Sequence, residues 1–323
     1  MTGEYFKSHS LMFSALILFI IGLALASFWV WRKLPVAGGG RIKSTYNIVY
    51  CTGGGQDLKM DTYTPLDGSK ALKPVVIFIH GGGWRTGDKL AIDLLPEKAV
   101  LIERGYFVAA INYRLAPENK WPAFMEDAKC AVRHIRANAA SYGIDPNRIA
   151  VFGASAGAHI ALMLGLAGPE AGLEGNGGYA GVSSQVKAVV SYFGPTDLTQ
   201  SYFFHNQNDD PMPRVFGYRT GDPAAIPTLQ QASPISYVGP QSPAIAFFHG
   251  DKDSTVPWSE SQNLFNALEK VGVPTEFRLV KNAAHGLIPS PITADMSPAR
   301  KAVADAMANF LDQHDREALI VNQ

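Results

Sequence analysis

The run Gly153-Ala154-Ser155-Ala156-Gly157 closes a short apolar segment and opens a second one. A serine hydroxyl attacks a carbonyl carbon only when a neighbouring base takes its proton. A sharp strand-to-helix turn at this point would strain the Ser155 backbone and lift its Oγ above the edge of a sheet. The helix that follows would favour negative charge developing beside the serine. At ordinary Gly and Ser frequencies such a pattern arises by chance about 0.1 times in a chain of this length. The run therefore needs its partners, and the plain alternative is a glycine-rich turn with no chemistry.

The base must come from eight histidines, at positions 9, 80, 134, 159, 205, 249, 285 and 314. With a nucleophile on such a turn, the expected chain order is serine, acid, histidine. His9, His80 and His134 precede the serine, and His159 lies one helical turn beyond it. His205 falls in an irregular stretch, His249 ends a strand before the acid candidates, and His314 lies in the terminal helix. His285, in the loop sequence KNAAHGL, is the base by elimination. Its orienting carboxylate is sought just after the preceding strand, in HGDKDSTVP. Asp253 is preferred there because it sits deeper in the loop, with Asp251 as a turn residue and Asp197 as a loop-fixing or capping carboxylate.

A third feature is VVIFIHGGGWRTGDK, residues 75–89. Consecutive glycines are costly, since each loses more chain entropy on folding than any other residue. The run is either a flexible turn or a place where bare backbone N–H groups face a ligand.

The elements that would position these residues follow from apolar periodicity. Strands are predicted at 46–51, 58–63, 75–80, 107–112, 148–152, 186–193, 244–249 and 275–280. Helices lie between them. Phe124, Ala128, Ala131, Ile135 and Ala139 mark one helical face, with Lys129, Arg133 and Arg136 off it. A last helix is expected over 298–314. Two strands followed by strand–helix alternation predict an α/β fold with an eight-stranded, mostly parallel sheet, an antiparallel start and helices on both faces. Residues 199–231 break the rhythm with prolines and aromatics, as an insert after the sixth strand that is either a lid or an inert excursion.

The 28 Lys and Arg residues balance 28 Asp and Glu residues, and no basic stripe offers a footprint for nucleic acid. Cys51 and Cys130 form neither a CxxC pair nor a zinc spacing, and they read as free, partly buried thiols, with a disulfide as the alternative. Residues 11–31 carry no charge. As a helix they would span about 31 Å, one hydrocarbon core. Phe28, Trp29 and Trp31 suit the interface, and Arg32 and Lys33 stop the run. Residues 1–33 thus read as a membrane anchor through an N-terminal helix, or as a signal segment cleaved near Ala26. Counting Lys and Arg puts the following chain in the cytoplasm, whereas common usage of such a segment puts it outside, so the side stays open. Residues 34–41 read as a linker and 42–323 as the catalytic domain. No feature sets an oligomeric state.

The body resembles the α/β-hydrolase superfamily, in particular HGGG-type carboxylesterases similar to hormone-sensitive lipase and to bacterial feruloyl and acetyl esterases. The matching stretches are HGGGW at 80–84 with GDK at 87–89, NYRLAPENKWPAFMEDA at 112–128, GASAGAH at 153–159, FGPTDL at 193–198, HGDKDSTVP at 249–257 and AAHG at 283–286. They lie in family order and cover nearly all of the body. The resemblance implies a nucleophile at Ser155, acid at Asp253 and base at His285, with oxyanion donors in the N–H groups of Gly82, Gly83 and Ala156. Trp84, Phe203, Phe204 and Phe216 suggest an apolar or aromatic substrate wall, with Trp84 as the named substrate-binding residue. Hormone-sensitive-lipase-like members carry an N-terminal helical cap, but residues 42–63 read as two strands, which leans towards the feruloyl/acetyl-esterase branch. The expected activity is hydrolysis of short-chain, aryl- or sugar-linked carboxylic esters, small molecules, through an acyl-enzyme. No metal or organic cofactor is required. The rivals are an arylformamidase or amidase, and a non-catalytic binding protein on the same scaffold.

Overall fold

The computed structural model describes residues 41–200 and 212–316. The expectations for residues 1–33, and for Phe203, Phe204 and His205, lie outside the described residues.

All eight predicted strands form. They are β1 (Arg41–Gly53), β2 (Gln56–Leu66), β3 (Lys73–Ile79), β4 (Phe107–Ile111), β5 (Ile144–Ala154), β6 (Ala188–Tyr192), β7 (Ala244–Gly250) and β8 (Thr275–Val280). They make one sheet in the order β1-β2-β4-β3-β5-β6-β7-β8. β1–β2 and β2–β4 are antiparallel, and the remaining pairs are parallel. Residues 42–63 thus lie in two strands joined by a turn at residues 54–55, as expected. The named helices are α1 (Pro96–Glu103), α2 (Ala123–Ala137), the single turn α3 (Ala139–Tyr142), α4 (Ala156–Leu166), α5 (Ile226–Gln231), α6 (Ser259–Lys270) and α7 (Arg300–Arg316).

β3 shows why helices cover both faces. Val75, Ile77 and Ile79 enter one apolar cluster with α2, α4 and α6, while Val76 and Phe78 enter another with α1 and α7. A strand buried on both sides reads as an unbroken apolar run, as KPVVIFI does.

Lys129 and Arg133 lie off the apolar face of α2, as expected, and are buried, being only 1% and 4% exposed. Both pair with Glu174, Lys129 Nζ at 2.8 Å and Arg133 Nη1 at 2.7 Å. Lys129 also donates to the Ala167 carbonyl at 2.9 Å, so these cations fasten α2 to the loop after α4. The cysteines are not free thiols: Cys51 on β1 and Cys130 on α2 form a disulfide, with Cα atoms 6.4 Å apart. Burial was read correctly, but α2 packing across β1 brings together two residues 79 positions apart, which spacing alone does not reveal.

The described part of the insert is anchored. Met212, Val215, Phe216, Ala225 and Leu229 are buried in the cluster that covers α2 and α4. Trp121 takes the Val215 carbonyl through its backbone N–H at 2.9 Å and Gln231 Oε1 through its indole N–H at 3.2 Å. Phe216 is therefore core, packed on Trp84 and Trp121.

Candidate active site

The parallel pairing of β3 with β5 sets Ile79 beside Gly153, so the two strands release their loops side by side. From β5 the chain turns at once into α4. Ser155, between them, has φ 55° and ψ −122°. For a residue with a Cβ this left-handed conformation costs about 1–3 kcal/mol, and such strain collects at functional sites. Packing enforces it: a Cβ at Gly157 would lie 2.1 Å from the Ile79 carbonyl oxygen. The start of α4 is pressed onto the end of β3, which no other residue at 157 would permit.

The glycine loop leaves β3 against this turn. A Cβ at Gly81 would come within 3.2 Å of Ser155 Cβ. Gly82 has φ 115°, and its carbonyl accepts from the N–H groups of Arg85 and Thr86 at 3.1 and 3.0 Å. Among the described residues, no backbone hydrogen bond uses the N–H of Gly82, Gly83 or Ala156. Tyr113 braces the loop by donating to the His80 carbonyl at 3.0 Å and stacking on the His80 ring at 4.4 Å. Further along, Asn112 Nδ2 donates to Asp88 at 2.7 Å, and a buried ion pair joins Lys89 to Asp61 at 3.1 Å. The GDK and NYR segments thus hold the loop rather than face a ligand.

Trp84 also belongs to the scaffold and not, as expected, to a substrate wall. It is 2% exposed, and its indole N–H donates to His159 Nδ1 at 3.2 Å. His159 on α4 is fully buried, and its Nε2–H is held at 2.7 Å by the Ala232 carbonyl. Burial, only partly offset by that carbonyl, lowers the His159 pKa to about 4. A second proton would have to enter at Nδ1, against the Trp84 donor. The unfolded chain takes up this proton near pH 6.5 and the native state only near 4, so this contribution is intact above pH 6.5 and lost on acidification to pH 4. The full loss is about 3 kcal/mol. Denaturant unfolding of wild type and His159→Gln at pH 7 and pH 4.5 checks this: the variant's stability should fall by about 2 kcal/mol less between the two.

The structure brings Ser155, His285 and Asp253 into one chain of hydrogen bonds. His285 Nε2 lies 2.9 Å from Ser155 Oγ, and its Nδ1 lies 2.7 Å from Asp253 Oδ2. A carboxylate only accepts, so Nδ1 carries the proton and Nε2 is left to accept from the hydroxyl. Asp253 Oδ1 accepts from the N–H groups of Thr255 and Val256 at 2.8 and 2.9 Å. Burial alone would raise the Asp253 pKa. Hydrogen bonds from His249, His285 and the Val256 N–H, with the charge of His285, win and hold it well below the usual carboxylate range. The other acid candidates do not reach the imidazole. Asp251 accepts from the Ala283 N–H at 3.3 Å, and Asp197 closes its own turn on the Thr199 N–H at 3.0 Å.

Three nearby residues were not foreseen. Phe193, with φ 44°, sets its ring edge-on to His285 at 4.7 Å. Glu260, buried on α6, accepts from the N–H groups of Thr196 and Asp197 at 2.8 Å each and fixes the loop that follows Phe193. His249 Nε2 lies 3.3 Å from Asp253 Oδ2. The four-residue spacing between His249, near the end of β7, and Asp253 was the only trace of that contact in the sequence. Among the described residues, no group of His, Cys, Asp or Glu is arranged to hold a metal ion.

Comparison with known proteins agrees with this architecture. The family model BD-FAE matches residues 60–268. Esterase LipQ of Mycobacterium tuberculosis is 32% identical over 274 residues, which cover 83% of this chain and 62% of that protein. Isoprenylcysteine alpha-carbonyl methylesterase ICME of Arabidopsis thaliana is 31% identical over 236 residues, 70% of this chain and 53% of that protein. The chain thus spans between half and two thirds of the length of these relatives. The solved structure of a truncated carbohydrate esterase from gut microbiota superposes with a TM-score of 0.70 at 29% identity, covering 87% of this chain and all of that one. With its eight-stranded α/β-hydrolase sheet, the chain belongs to the BD-FAE family of the α/β-hydrolase superfamily.

Proposed function

We propose that the protein is a serine carboxylesterase acting on short-chain, aryl- or sugar-linked esters. The observation that carries this reading is the unbroken chain from Ser155 Oγ through His285 to Asp253, on a strained turn beside a glycine loop. In the first step His285 Nε2 takes the Ser155 proton as Oγ bonds to the ester carbonyl carbon. The carbonyl oxygen becomes an oxyanion, received by the N–H groups of Gly82, Gly83 and Ala156. Asp253 stabilises the imidazolium, which then protonates the departing alcohol as the C–O bond breaks. Water attacks the acyl-Ser155 ester by the same route, returning its proton through His285 and releasing the acid. The relatives named as esterases favour a carboxylic ester as substrate, and the carbohydrate-esterase neighbour favours a sugar-linked one.

The test is a substrate panel on the full-length protein: p-nitrophenyl acetate, butyrate and decanoate, an aryl ferulate, an acetylated oligosaccharide and an aryl formamide. Acetate, butyrate and the sugar acetate should be turned over fastest. A preference for the formamide assigns an amidase-type activity instead. No hydrolysis, with no fluorophosphonate labelling at Ser155, would leave a binding scaffold.

We further propose that residues 11–31 hold this body at a membrane on its non-cytoplasmic side. The uncharged run supports the anchor, and the Cys51–Cys130 disulfide supports an oxidising compartment. Membrane fractionation with protease protection checks it, and a body shielded on the cytoplasmic side refutes it.

A further inference from the structure

Asp253 serves two imidazoles through one oxygen. Its Oδ2 lies 2.7 Å from His285 Nδ1 and 3.3 Å from His249 Nε2. Both the Asp253 side chain and His249 are fully buried. The Val256 carbonyl, 2.9 Å from His249 Nε2, can only accept, so Nε2 carries a proton that it shares between that carbonyl and Asp253. Nδ1 of His249 is then left to accept from the Ser261 hydroxyl at 2.8 Å, and Ser261 is itself buried on α6. With Oδ1 occupied by two backbone N–H groups, the carboxylate has donors on every side. An apolar residue could fill the end of β7, but only a donor at this point can meet the oxygen that His285 uses.

We propose that His249 is a positioning residue for the relay. Its Nε2–H fixes Asp253 Oδ2 in line with His285 Nδ1 and draws negative charge away from that oxygen. The proposal rests on the Ser155–His285–Asp253 reading above. Without the donor the carboxylate is freer to turn and is a stronger acceptor, so the imidazolium is held more tightly. Free base at His285 then becomes available only at higher pH. Donation from Ser261 polarises the His249 ring and strengthens its N–H as a donor, so Ser261 acts in the same direction at one remove. Of the other charged groups on the elements around the pair, Asp251 and Lys252 share its turn, and Glu260 on α6 is committed to Thr196 and Asp197. Among the described residues none of the three bonds to Asp253.

The experiment compares full-length wild type with His249→Leu, His249→Gln, Ser261→Ala and Ser155→Ala, using p-nitrophenyl acetate across pH 5–9 and thermal melts. His249→Leu should lower kcat about 10-fold with KM within about twofold, as a misaimed relay does. The acid limb of its kcat/KM profile should move up by about half a pH unit. Glutamine offers an N–H at the Nε2 position and should recover most of both losses. Ser261→Ala should move the limb in the same direction by less. A wild-type limb and kcat in His249→Leu overturn the proposal, as do Leu and Gln variants that lose kcat alike with the limb unmoved. If His249→Leu fails to melt cooperatively, Ser261→Ala decides: an acid limb moved upward supports the proposal, and an unmoved limb overturns it. Ser155→Ala separates the two readings: wild-type turnover in that variant removes the relay itself, whereas an inactive Ser155→Ala beside an unaffected His249→Leu removes only the role of His249.

Discussion

Ser155→Ala should lower kcat for p-nitrophenyl butyrate by about 10⁴-fold or more while leaving the melting temperature within a few degrees. Without Oγ no acyl-enzyme can form, and what remains is whatever the backbone donors and substrate binding give to attack by water. The hydroxyl's hydrogen-bond partner is His285, whose side chain is about a quarter exposed, so little packing is lost. Alanine also relaxes nothing in the turn, because φ 55° at position 155 is imposed by the contact of Gly157 with β3. His285→Ala should cost about as much, and the double variant no more than either alone, because nucleophile and base act as one unit. Asp253→Asn is the more informative third member. Its amide must present N–H either to His285 Nδ1, forcing the wrong tautomer, or to the Thr255 and Val256 N–H groups, which need an acceptor. It should therefore lose both activity and stability, unlike Ser155→Ala. Steady-state kinetics, fluorophosphonate labelling and melts of the four variants give the answer; wild-type turnover by Ser155→Ala removes the assignment.

The sheet was legible in the sequence because each strand announces itself locally. KPVVIFI can be little else than a doubly buried strand once HGGG ends it, and the same holds for β7 before HGDKD. The meeting of Ser155, His285 and Asp253 was legible for a different reason: chain order set aside His9, His80 and His134, the predicted elements set aside the other histidines, and depth in the loop preferred Asp253 to Asp251 and Asp197. What escaped is lateral. The Cys51–Cys130 bond, the pairing of Lys129 and Arg133 with Glu174, and the contact of His249 with Asp253 all depend on how side chains meet across elements. Trp84 failed for the same reason. A tryptophan after a glycine loop can face out to a ligand or in to the core, and only the His159 acceptor on α4 decides that it faces in.

The arrangement makes the glycine loop the most sensitive part of the site outside the triad. Gly82→Val should lower kcat by about 10²–10³-fold, as the loss of an oxyanion donor does, with KM little changed. The cause differs from simple obstruction of substrate space. A Cβ at position 82 would point into the loop's own turn, 2.1 Å from the Thr86 carbonyl oxygen and 2.8 Å from Thr86 Oγ1. With φ at 115°, a β-branched residue also meets a backbone conformation it does not adopt. The turn closed by the Arg85 and Thr86 N–H groups on the Gly82 carbonyl must open, which would displace the N–H groups proposed to receive the oxyanion. Gly82 is exposed, so the melting temperature should fall by only a few degrees. Gly83→Ala is the matched control. Its φ is 59°, and a Cβ there meets nothing nearer than Arg85 at 3.8 Å. It carries the left-handed penalty of about 1–2 kcal/mol but no collision. It should lose less than about 10-fold in kcat. If Gly82→Val turns over at the wild-type rate, the loop is only a turn; if Gly83→Ala is as damaged as Gly82→Val, backbone freedom rather than the Thr86 contact sets the requirement.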